Sequence, residues 1–123
     1  MNNRFMLRAL ELARKGKTTP NPMVGAVLVK NNRIIAEGFH SRAGGPHAEV
    51  VALRKAGSKA RGADLYVNLE PCSHFGKTPP CANLITEIGI PNVVIGSIDT
   101  ASHVSGKGID ILKESGIKVI TGI

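Results

Sequence analysis

The run MVGAVLV, from Met23 to Val29, contains no polar side chain and restricts the possible fold more than any other stretch. Its length and its β-branched valines predict a strand that is covered on both faces of its sheet. Asn31 and Asn32 follow it, and both residue types tolerate the positive φ of a two-residue hairpin turn. We therefore predict that a second strand, Arg33 to Phe39, pairs with the first.

The helical segments are predicted from their periodicity and their stop signals. The first runs from Asn3 to Lys15, with Gly16 placed for a left-handed C-cap. The second follows the breaker AGGP and runs from about His47 to Ala56, with Gly57 as its stop. The residues predicted to face the core are Phe5, Met6, Ala9, Leu10 and Ala13 in the first helix, and Ala48, Val51, Ala52 and Ala56 in the second.

Short strands and helices alternate through the rest of the chain. The predicted elements are a strand at Leu65 to Leu69, a third helix from the paired prolines before Cys81 through Ile88, a strand at Val93 to Ile98, a fourth helix at Gly108 to Ser115 stopped by Gly116, and a last strand at Ile117 to Ile120. A hairpin followed by this alternation predicts one mixed five-stranded sheet with helices on both faces. The expected fold class is α/β, with three α/β/α layers.

Length and charge restrict the classes of protein further. The 123 residues are enough for one core, so we expect a single domain over residues 1–123. No apolar run reaches the roughly 20 residues of a membrane span, and charges interrupt the N-terminal apolar stretch, so we expect a cytoplasmic protein. The formal charge of +7 favours an anionic partner. One Tyr and three Phe offer few stacking platforms, which argues against nucleic acid.

The stretch HAE places His47 and Glu49 at the predicted start of the second helix. Two positions correspond to roughly 200° around a helix, so the two side chains converge only beyond its N-terminal end. The third helix is predicted to start near Cys81, and its dipole favours negative charge there. Taken singly, His47 is more often a helix cap, and Cys72 with Cys81 could form a disulfide. Without an export signal, a metal or catalytic role gains weight.

One imidazole and two thiolates, from His47, Cys72 and Cys81, form a set of ligands that zinc takes in tetrahedral coordination. We therefore predict one Zn²⁺ per chain. Three protein ligands leave a position for water, whose pKa zinc can lower to about 7. Glu49 is then predicted to be the catalytic proton shuttle, because a fourth protein ligand would close the site.

Zinc nucleobase deaminases carry H-x-E followed by P-C-x-x-C. This chain has the H-x-E and the P-C, but its second cysteine comes nine positions after the first because SHFGKTPP intervenes. Longer motifs are TTPNPMVGAVLV, EGFH, GGPHAEVVAL, ARGADLYVNLEPCSHFGKTPPC, and GKGIDIL before GIKV. On these motifs nearly the whole chain resembles the deaminase domain of the bifunctional riboflavin-biosynthesis deaminase/reductase family, in the cytidine-deaminase-like superfamily. The LEPCSH-x-G-x-TPPC block is the most specific of them.

The resemblance implies a cytidine-deaminase-like fold and a hydrolytic reaction in riboflavin biosynthesis. The implied substrate is 2,5-diamino-6-ribosylamino-4(3H)-pyrimidinone 5′-phosphate, which would lose its 2-amino group as ammonia and become the pyrimidinedione. The substrate-binding residues that the resemblance implies are Asn21, His40, His74, Lys77, Thr78 and Asp99. Lys77 is the expected partner of the phosphate, since an anionic tail needs a cation. Without the resemblance, Asn21 could simply form a turn and Lys77 could be a solvated charge.

Two departures from the family pattern bear on these expectations. The family reads D-P-N-P where this chain reads DTAS at Asp99 to Ser102, so Ala101 replaces an Asn expected to touch the substrate. The family also continues into a reductase domain, whereas this chain stops at Ile123. We therefore expect either a separately encoded reductase partner or a fragment of a longer protein. The resemblance further implies a homo-oligomer.

Other deaminases remain alternatives. A tRNA adenosine deaminase or a cytidine nucleotide deaminase would share the zinc, the glutamate and the fold, but such enzymes usually have the short P-C-x-x-C. A non-catalytic deaminase-like subunit is a different class of protein. The complete set of His47, Glu49, Cys72 and Cys81 argues against such decay, while the DTAS stretch keeps it open.

Overall fold

The structure is a computed structural model that describes residues 3–19, 22–72, 81–97 and 106–121. Its helices are α1 (Asn3–Ala13), α2 (Ala48–Ala56), α3 (Cys81–Ile88) and α4 (Lys107–Glu114), with a short 3₁₀ helix at Gly57–Ala60. Its strands are β1 (Gly25–Lys30), β2 (Arg33–Phe39), β3 (Asp64–Leu69), β4 (Asn92–Ser97) and β5 (Lys118–Thr121).

The five strands form one sheet in the order β2-β1-β3-β4-β5. β1 is antiparallel to both β2 and β3, whereas β3, β4 and β5 are mutually parallel. The hairpin between β1 and β2 turns at Asn31 and Asn32, whose φ values of 53° and 60° are both positive as the sequence predicts. The predicted mixed sheet is therefore confirmed.

Alternate residues of the central strands point to opposite faces of the sheet, as the pleat requires. In β1, Ala26 and Leu28 pack in the cluster that includes side chains of α2, α3 and α4. Val27 and Val29 pack in the second cluster, whose helical residues come from α1. The sheet is thus the middle layer between α1 on one face and three helices on the other, which confirms the three-layer α/β/α prediction.

The core-facing residues of the first two helices differ in part from the prediction. Leu12 is buried in α1 whereas Leu10 is 40% exposed, because the buried stripe continues from Ala9 to Leu12 and Ala13 and leaves Leu10 on the flank. In α2 the buried residues are Ala48, Glu49, Ala52 and Leu53, and Val51 and Ala56 are only half-buried. The prediction therefore holds for four of its five residues in α1, whereas in α2 it holds for Ala48 and Ala52 and misses the burial of Glu49 and Leu53.

The prediction of a left-handed Gly16 is wrong. The glycines with positive φ in the described part of the chain include Gly57 and Gly116, the predicted helix stops, but not Gly16. A Cβ at Gly16 would lie 2.1 Å from the carbonyl oxygen of His40. Gly16 is therefore required by the close approach of this segment to the end of β2, not by its backbone conformation.

None of the helices in the described residues has the length and hydropathy that crossing a bilayer would need.

Candidate metal centre

His47 occupies the N-cap position of α2, with an extended backbone at φ −70° and ψ 156°. Its side chain makes no capping hydrogen bond, so the imidazole is directed elsewhere. Its Nδ1 atom lies 3.3 Å from the Sγ of Cys81 and 3.7 Å from the Sγ of Cys72. The nitrogen that His47 presents to the two sulfurs is therefore Nδ1.

The two cysteines come from the turn after β3 and from the first residue of α3. The backbone N–H of Cys81 donates to the Sγ of Cys72 over 3.2 Å, and the N–H of Ala82 donates to the carbonyl oxygen of Cys72 over 3.2 Å. Two of the N–H groups that lack intrahelical partners at the start of α3 therefore donate to Cys72. Both cysteines are free thiols.

His47, Cys72 and Cys81 form the candidate metal site of the described residues, with one ligand atom from each and all three atoms within 4.8 Å of one another. One imidazole nitrogen and two sulfurs suit zinc, which favours nitrogen and thiolate ligands. The backbone N–H of Cys81, which donates to the Cys72 sulfur, also stabilises negative charge on that sulfur, as thiolate ligation requires. The donor set and its electrostatics therefore fit a zinc ion.

The hydrogen bond between the two cysteine side chains shifts their pKa values in opposite directions. The hydrogen bond from the Cys81 side chain lowers the pKa of Cys72 to about 4, despite an opposing effect of burial, and His47 adds to the lowering. The same hydrogen bond, together with burial, raises the pKa of Cys81 above its usual range. The hydrogen bond to Cys72 raises the pKa of His47 in turn. These shifts favour negative charge on the Cys72 sulfur and a proton on the Cys81 sulfur.

Glu49 lies in the first turn of α2 and is 3% exposed. Burial raises the pKa of its carboxyl to about 7, and the negative charge of Cys72 adds to that rise while His47 opposes it. The carboxyl therefore interacts electrostatically with all three candidate ligands. A buried acid with a pKa near neutrality is suited to proton transfer at physiological pH.

His40 is the one predicted substrate-binding residue within the described part of the chain. It is buried at the end of β2, and its Nδ1–H donates to the carbonyl oxygen of Pro46 over 2.9 Å. Its ring meets the His47 ring edge to face, with centroids 5.3 Å apart. The structure thus brings His40 beside the candidate metal ligands, and its contact with substrate stays a prediction. The predicted contacts that lie outside the described residues are Asn21, His74, Lys77, Thr78 and Asp99.

Glu70 is a buried residue beside the site that sequence reasoning missed. It follows β3 directly, stands two positions before Cys72 and is 5% exposed. Its carboxylate accepts hydrogen bonds from three backbone N–H groups at the start of α4, those of Gly106, Gly108 and Ile109. The sequence feature that could have indicated Glu70 is the position of an acidic residue directly after a buried strand and two residues before a candidate ligand.

Comparison with known families gives one match over most of the chain. Residues 1–97 match the cytidine and deoxycytidylate deaminase zinc-binding region. That interval includes His47, Glu49, Cys72 and Cys81. The zinc-binding character of the family agrees with the predicted Zn²⁺ cofactor.

Curated relatives are similar along the full chain. The diaminohydroxyphosphoribosylamino-pyrimidine deaminase of Buchnera aphidicola subsp. Acyrthosiphon pisum is 55% identical over 121 residues, which cover 97% of this chain and 82% of that protein. The riboflavin biosynthesis protein RibD of Aquifex aeolicus is 52% identical over 125 residues, which cover 100% of this chain and 35% of that protein. The chain thus spans about a third of the length of the longer relative.

A solved structure supports the fold assignment. The diaminohydroxyphosphoribosylaminopyrimidine deaminase/5-amino-6-(5-phosphoribosylamino)uracil reductase of Thermotoga maritima superposes with a TM-score of 0.93 at 56% identity. The superposition covers 98% of this chain and 36% of that one. The shared part is therefore about a third of that longer protein.

Proposed function

This chain belongs to the cytidine and deoxycytidylate deaminase zinc-binding family, and on that basis we propose that it catalyses a zinc-dependent hydrolytic deamination in riboflavin biosynthesis. The proposed substrate is 2,5-diamino-6-ribosylamino-4(3H)-pyrimidinone 5′-phosphate, and the products are 5-amino-6-ribosylamino-2,4-pyrimidinedione 5′-phosphate and ammonia. The observation that carries the proposal is the meeting of His47, Cys72 and Cys81 beside the buried Glu49. The identity of 55% to a deaminase named for this pyrimidine supports the choice of substrate.

The proposed zinc ligands are His47 through Nδ1, Cys72 and Cys81. When bound, zinc supplies Lewis acidity that makes a water molecule a better nucleophile at neutral pH. Three protein ligands match the open coordination of catalytic zinc sites. Glu49 is assigned outside the ligand set, because a fourth protein ligand would close that coordination.

Glu49 moves the protons of the reaction. Its carboxylate accepts a proton from the attacking water and gives it to the ring nitrogen next to the amino-bearing carbon. A second proton transfer through Glu49 reaches the leaving amine, so that one water is consumed and one ammonia is released. A pKa of about 7 places Glu49 where it both accepts and donates at neutral pH.

Substrate recognition is assigned to six residues. His40, whose ring lies edge to face on the His47 ring, is the one proposed contact within the described residues. Asn21, His74, Thr78 and Asp99 are further proposed contacts. Lys77 is the proposed partner of the 5′-phosphate, because a primary ammonium is a strong point charge for phosphate.

The proposed setting is a reducing compartment, the cytoplasm, because Cys72 and Cys81 must stay free thiols to serve as ligands. The pyrimidinedione product would pass to a reductase. The Thermotoga relative is named for both activities. We propose that the reductase partner of this chain is either a separate protein or a further domain, and that the chain assembles as a homo-oligomer.

The test is ammonia release by the purified chain from the phosphorylated diaminopyrimidine, with zinc quantified in the same sample. We expect about one zinc per chain and loss of ammonia release after chelation, restored by added zinc. Deoxycytidylate and tRNA serve as alternative substrates. Faster turnover of either one, or ammonia release that is unaffected by zinc removal, would overturn the assignment.

A further inference from the structure

The carboxylate of Glu70 joins the end of β3 to the start of α4. Its Oε1 accepts the N–H of Gly106 over 3.0 Å, and its Oε2 accepts the N–H groups of Gly108 and Ile109 over 2.9 and 3.2 Å. These groups belong to the end of α4 where backbone N–H groups lack intrahelical partners and where negative charge is stabilising. The side chain of Glu70 thus caps a helix that begins more than 30 residues later in the chain.

The backbone of Glu70 and of the following residue, Pro71, also contacts neighbouring elements. The N–H of Glu70 donates to the carbonyl oxygen of Ser97 at the end of β4 over 2.9 Å. A Cβ at Gly108 would lie 2.0 Å from the carbonyl oxygen of Pro71, so the start of α4 packs directly on the backbone of Pro71. The turn from Glu70 to Cys72 therefore lies between the end of β4 and the start of α4.

Pro71 is the single residue between Glu70 and Cys72. Its ring fixes its own φ near −65°, which removes one of the few rotations through which the two residues could move independently. Beyond Pro71, the Cys72 sulfur and carbonyl oxygen are held by the N–H groups of Cys81 and Ala82. The position of the Cys72 sulfur is thus set from one side by α3 and from the other by Glu70.

We propose that Glu70 is a positioning residue for the metal site, and that its hydrogen bonds to the start of α4 fix the turn that places the Cys72 sulfur. The inference rests on the proposed function, because it takes Cys72 as a zinc ligand. Glu70 itself is not a ligand in this scheme. Its loss would let the turn relax and would weaken metal binding through Cys72.

Asp64 offers a matched control at the opposite end of β3. Its carboxylate accepts a hydrogen bond from the Nδ2 of Asn92 on the neighbouring strand over 2.8 Å. It therefore also joins β3 to another part of the fold, but the length of the strand separates it from Cys72. A general loss of stability would affect Asp64→Asn and Glu70→Gln alike, whereas a displaced sulfur would affect only the latter.

The experiment measures metal affinity without any substrate. Zinc is titrated into metal-free full-length chain against a chromophoric chelator, and cobalt replaces zinc so that thiolate-to-cobalt absorption reports the sulfur ligands. We expect Glu70→Gln to bind zinc about 10-fold or more weakly, in the range found for residues that support metal ligands. The cobalt–thiolate absorption should also fall. Asp64→Asn should match the wild type in both readouts.

Unchanged zinc affinity and cobalt spectrum in Glu70→Gln would overturn the proposal, as would an equal loss in Asp64→Asn. If Glu70→Gln does not fold, Glu70→Asp replaces it, since this variant keeps the charge but shortens the side chain by one methylene. The same 10-fold criterion then applies, and wild-type affinity would overturn the proposal. A wild-type chain that binds zinc but releases no ammonia would refute the proposed function and leave this inference standing.

Discussion

Glu49 has an environment unlike that of Glu11, the other acidic residue of α1 and α2. It is 3% exposed, whereas the side chain of Glu11 is 65% exposed. An ionised carboxylate loses much of its hydration when buried, which explains the rise of its pKa to about 7. Burial of an acid beside candidate metal ligands is costly for folding, and such sites are commonly functional.

The first prediction concerns this residue. Glu49→Gln keeps the size and burial of the side chain but cannot transfer a proton. We expect kcat to fall by about 10²- to 10⁴-fold, the usual contribution of general acid–base catalysis. The zinc content should stay at the wild-type value, because Glu49 is not a ligand. Ammonia release and metal analysis on the same preparation check both statements, and normal turnover would refute the proton-shuttle assignment.

The second prediction concerns Lys77, which lies outside the described residues. Lys77→Ala should raise KM for the phosphorylated substrate much more than for its dephosphorylated analogue, because only the former presents an anion. Charge-assisted hydrogen bonds of this kind are stronger than neutral ones. Lys59→Ala is the control, since Lys59 is exposed beyond the far end of α2. Equal losses on the two substrates would remove Lys77 from phosphate recognition.

The candidate ligands could be predicted from sequence, whereas Glu70 could not. His47, Cys72 and Cys81 are residue types with strong metal preferences, and their local motifs identify them. The partners of Glu70 are backbone N–H groups of residues 106, 108 and 109, and a backbone group leaves no trace in the amino-acid sequence. Only the folded arrangement of β3 and α4 shows that interaction.

At the scale of elements, two glycines set the distance between helices and sheet. A Cβ at Gly25 on β1 would lie 2.0 Å from the carbonyl oxygen of Ala9 in α1. A Cβ at Gly38 on β2 would lie 2.5 Å from the carbonyl oxygen of Ala48, the first residue of α2. Each helix therefore packs on the sheet at a point where no side chain intervenes. The second point adjoins His47 and Glu49.

The third prediction compares these two positions. Gly38→Ala should displace the start of α2, lowering the free energy of unfolding by about 1–3 kcal/mol as overpacking does. It should also weaken zinc binding, because His47 moves with that helix end. Gly25→Ala should cost similar stability through α1 without changing zinc affinity. Chemical denaturation and zinc titration of both variants are the measurements, and equal effects on zinc would contradict the prediction.

The order and type of the elements could be predicted because the spacing of apolar residues distinguishes helices from strands, and glycine or proline residues mark where the helices end or begin. The rotation of each helix about its axis was predicted less well. In α1, Leu10 and Leu12 are equally apolar, and only the packing against β1 and β3 decides that Leu12 is buried. In α2, Glu49 and Leu53 are both buried. A hydrophobicity pattern predicts that an acidic residue is exposed, so it could not have predicted the burial of Glu49.

At the scale of the whole molecule, α1 is the single described helix on its face of the sheet. Arg8 of α1 donates two hydrogen bonds to the carboxylate of Glu37 on β2, at 2.6 and 3.0 Å. The two side chains are 32% and 30% exposed, so solvent screens the pair and its contribution to stability is small. It is still a polar contact that joins α1 to the antiparallel edge of the sheet.

The fourth prediction concerns the pH dependence of this contact. The hydrogen bond from Arg8 lowers the pKa of Glu37 below its ordinary 4.5. The ionised carboxylate is therefore favoured in the folded state, and the resulting stability is present above pH 4.5 and lost as the pH falls through the lowered pKa. Glu37→Gln should be slightly less stable than the wild type at pH 7. The difference should shrink towards zero as the pH falls through the lowered pKa of Glu37.

Urea denaturation of the metal-free chains at several pH values measures this difference, since a chelator removes the effect of pH on metal binding. Glu11→Gln is the control, because its carboxylate lies 3.7 Å from the same guanidinium but is 65% exposed. It should show little change at any pH. A stability difference for Glu37→Gln that is constant from pH 7 to acid would show that packing, not charge, is responsible.

The separation of α1 from the candidate metal centre by the sheet has a practical consequence. The described site residues lie at the ends of β2 and β3 and at the starts of α2 and α3, whereas Glu11 lies exposed on α1. A fluorescent dye attached at that position through chemistry that does not react with thiols would be separated from the donor atoms by the sheet and would leave Cys72 and Cys81 unlabelled. Such a labelled protein would allow self-association to be followed in real time while the candidate metal site stays unmodified.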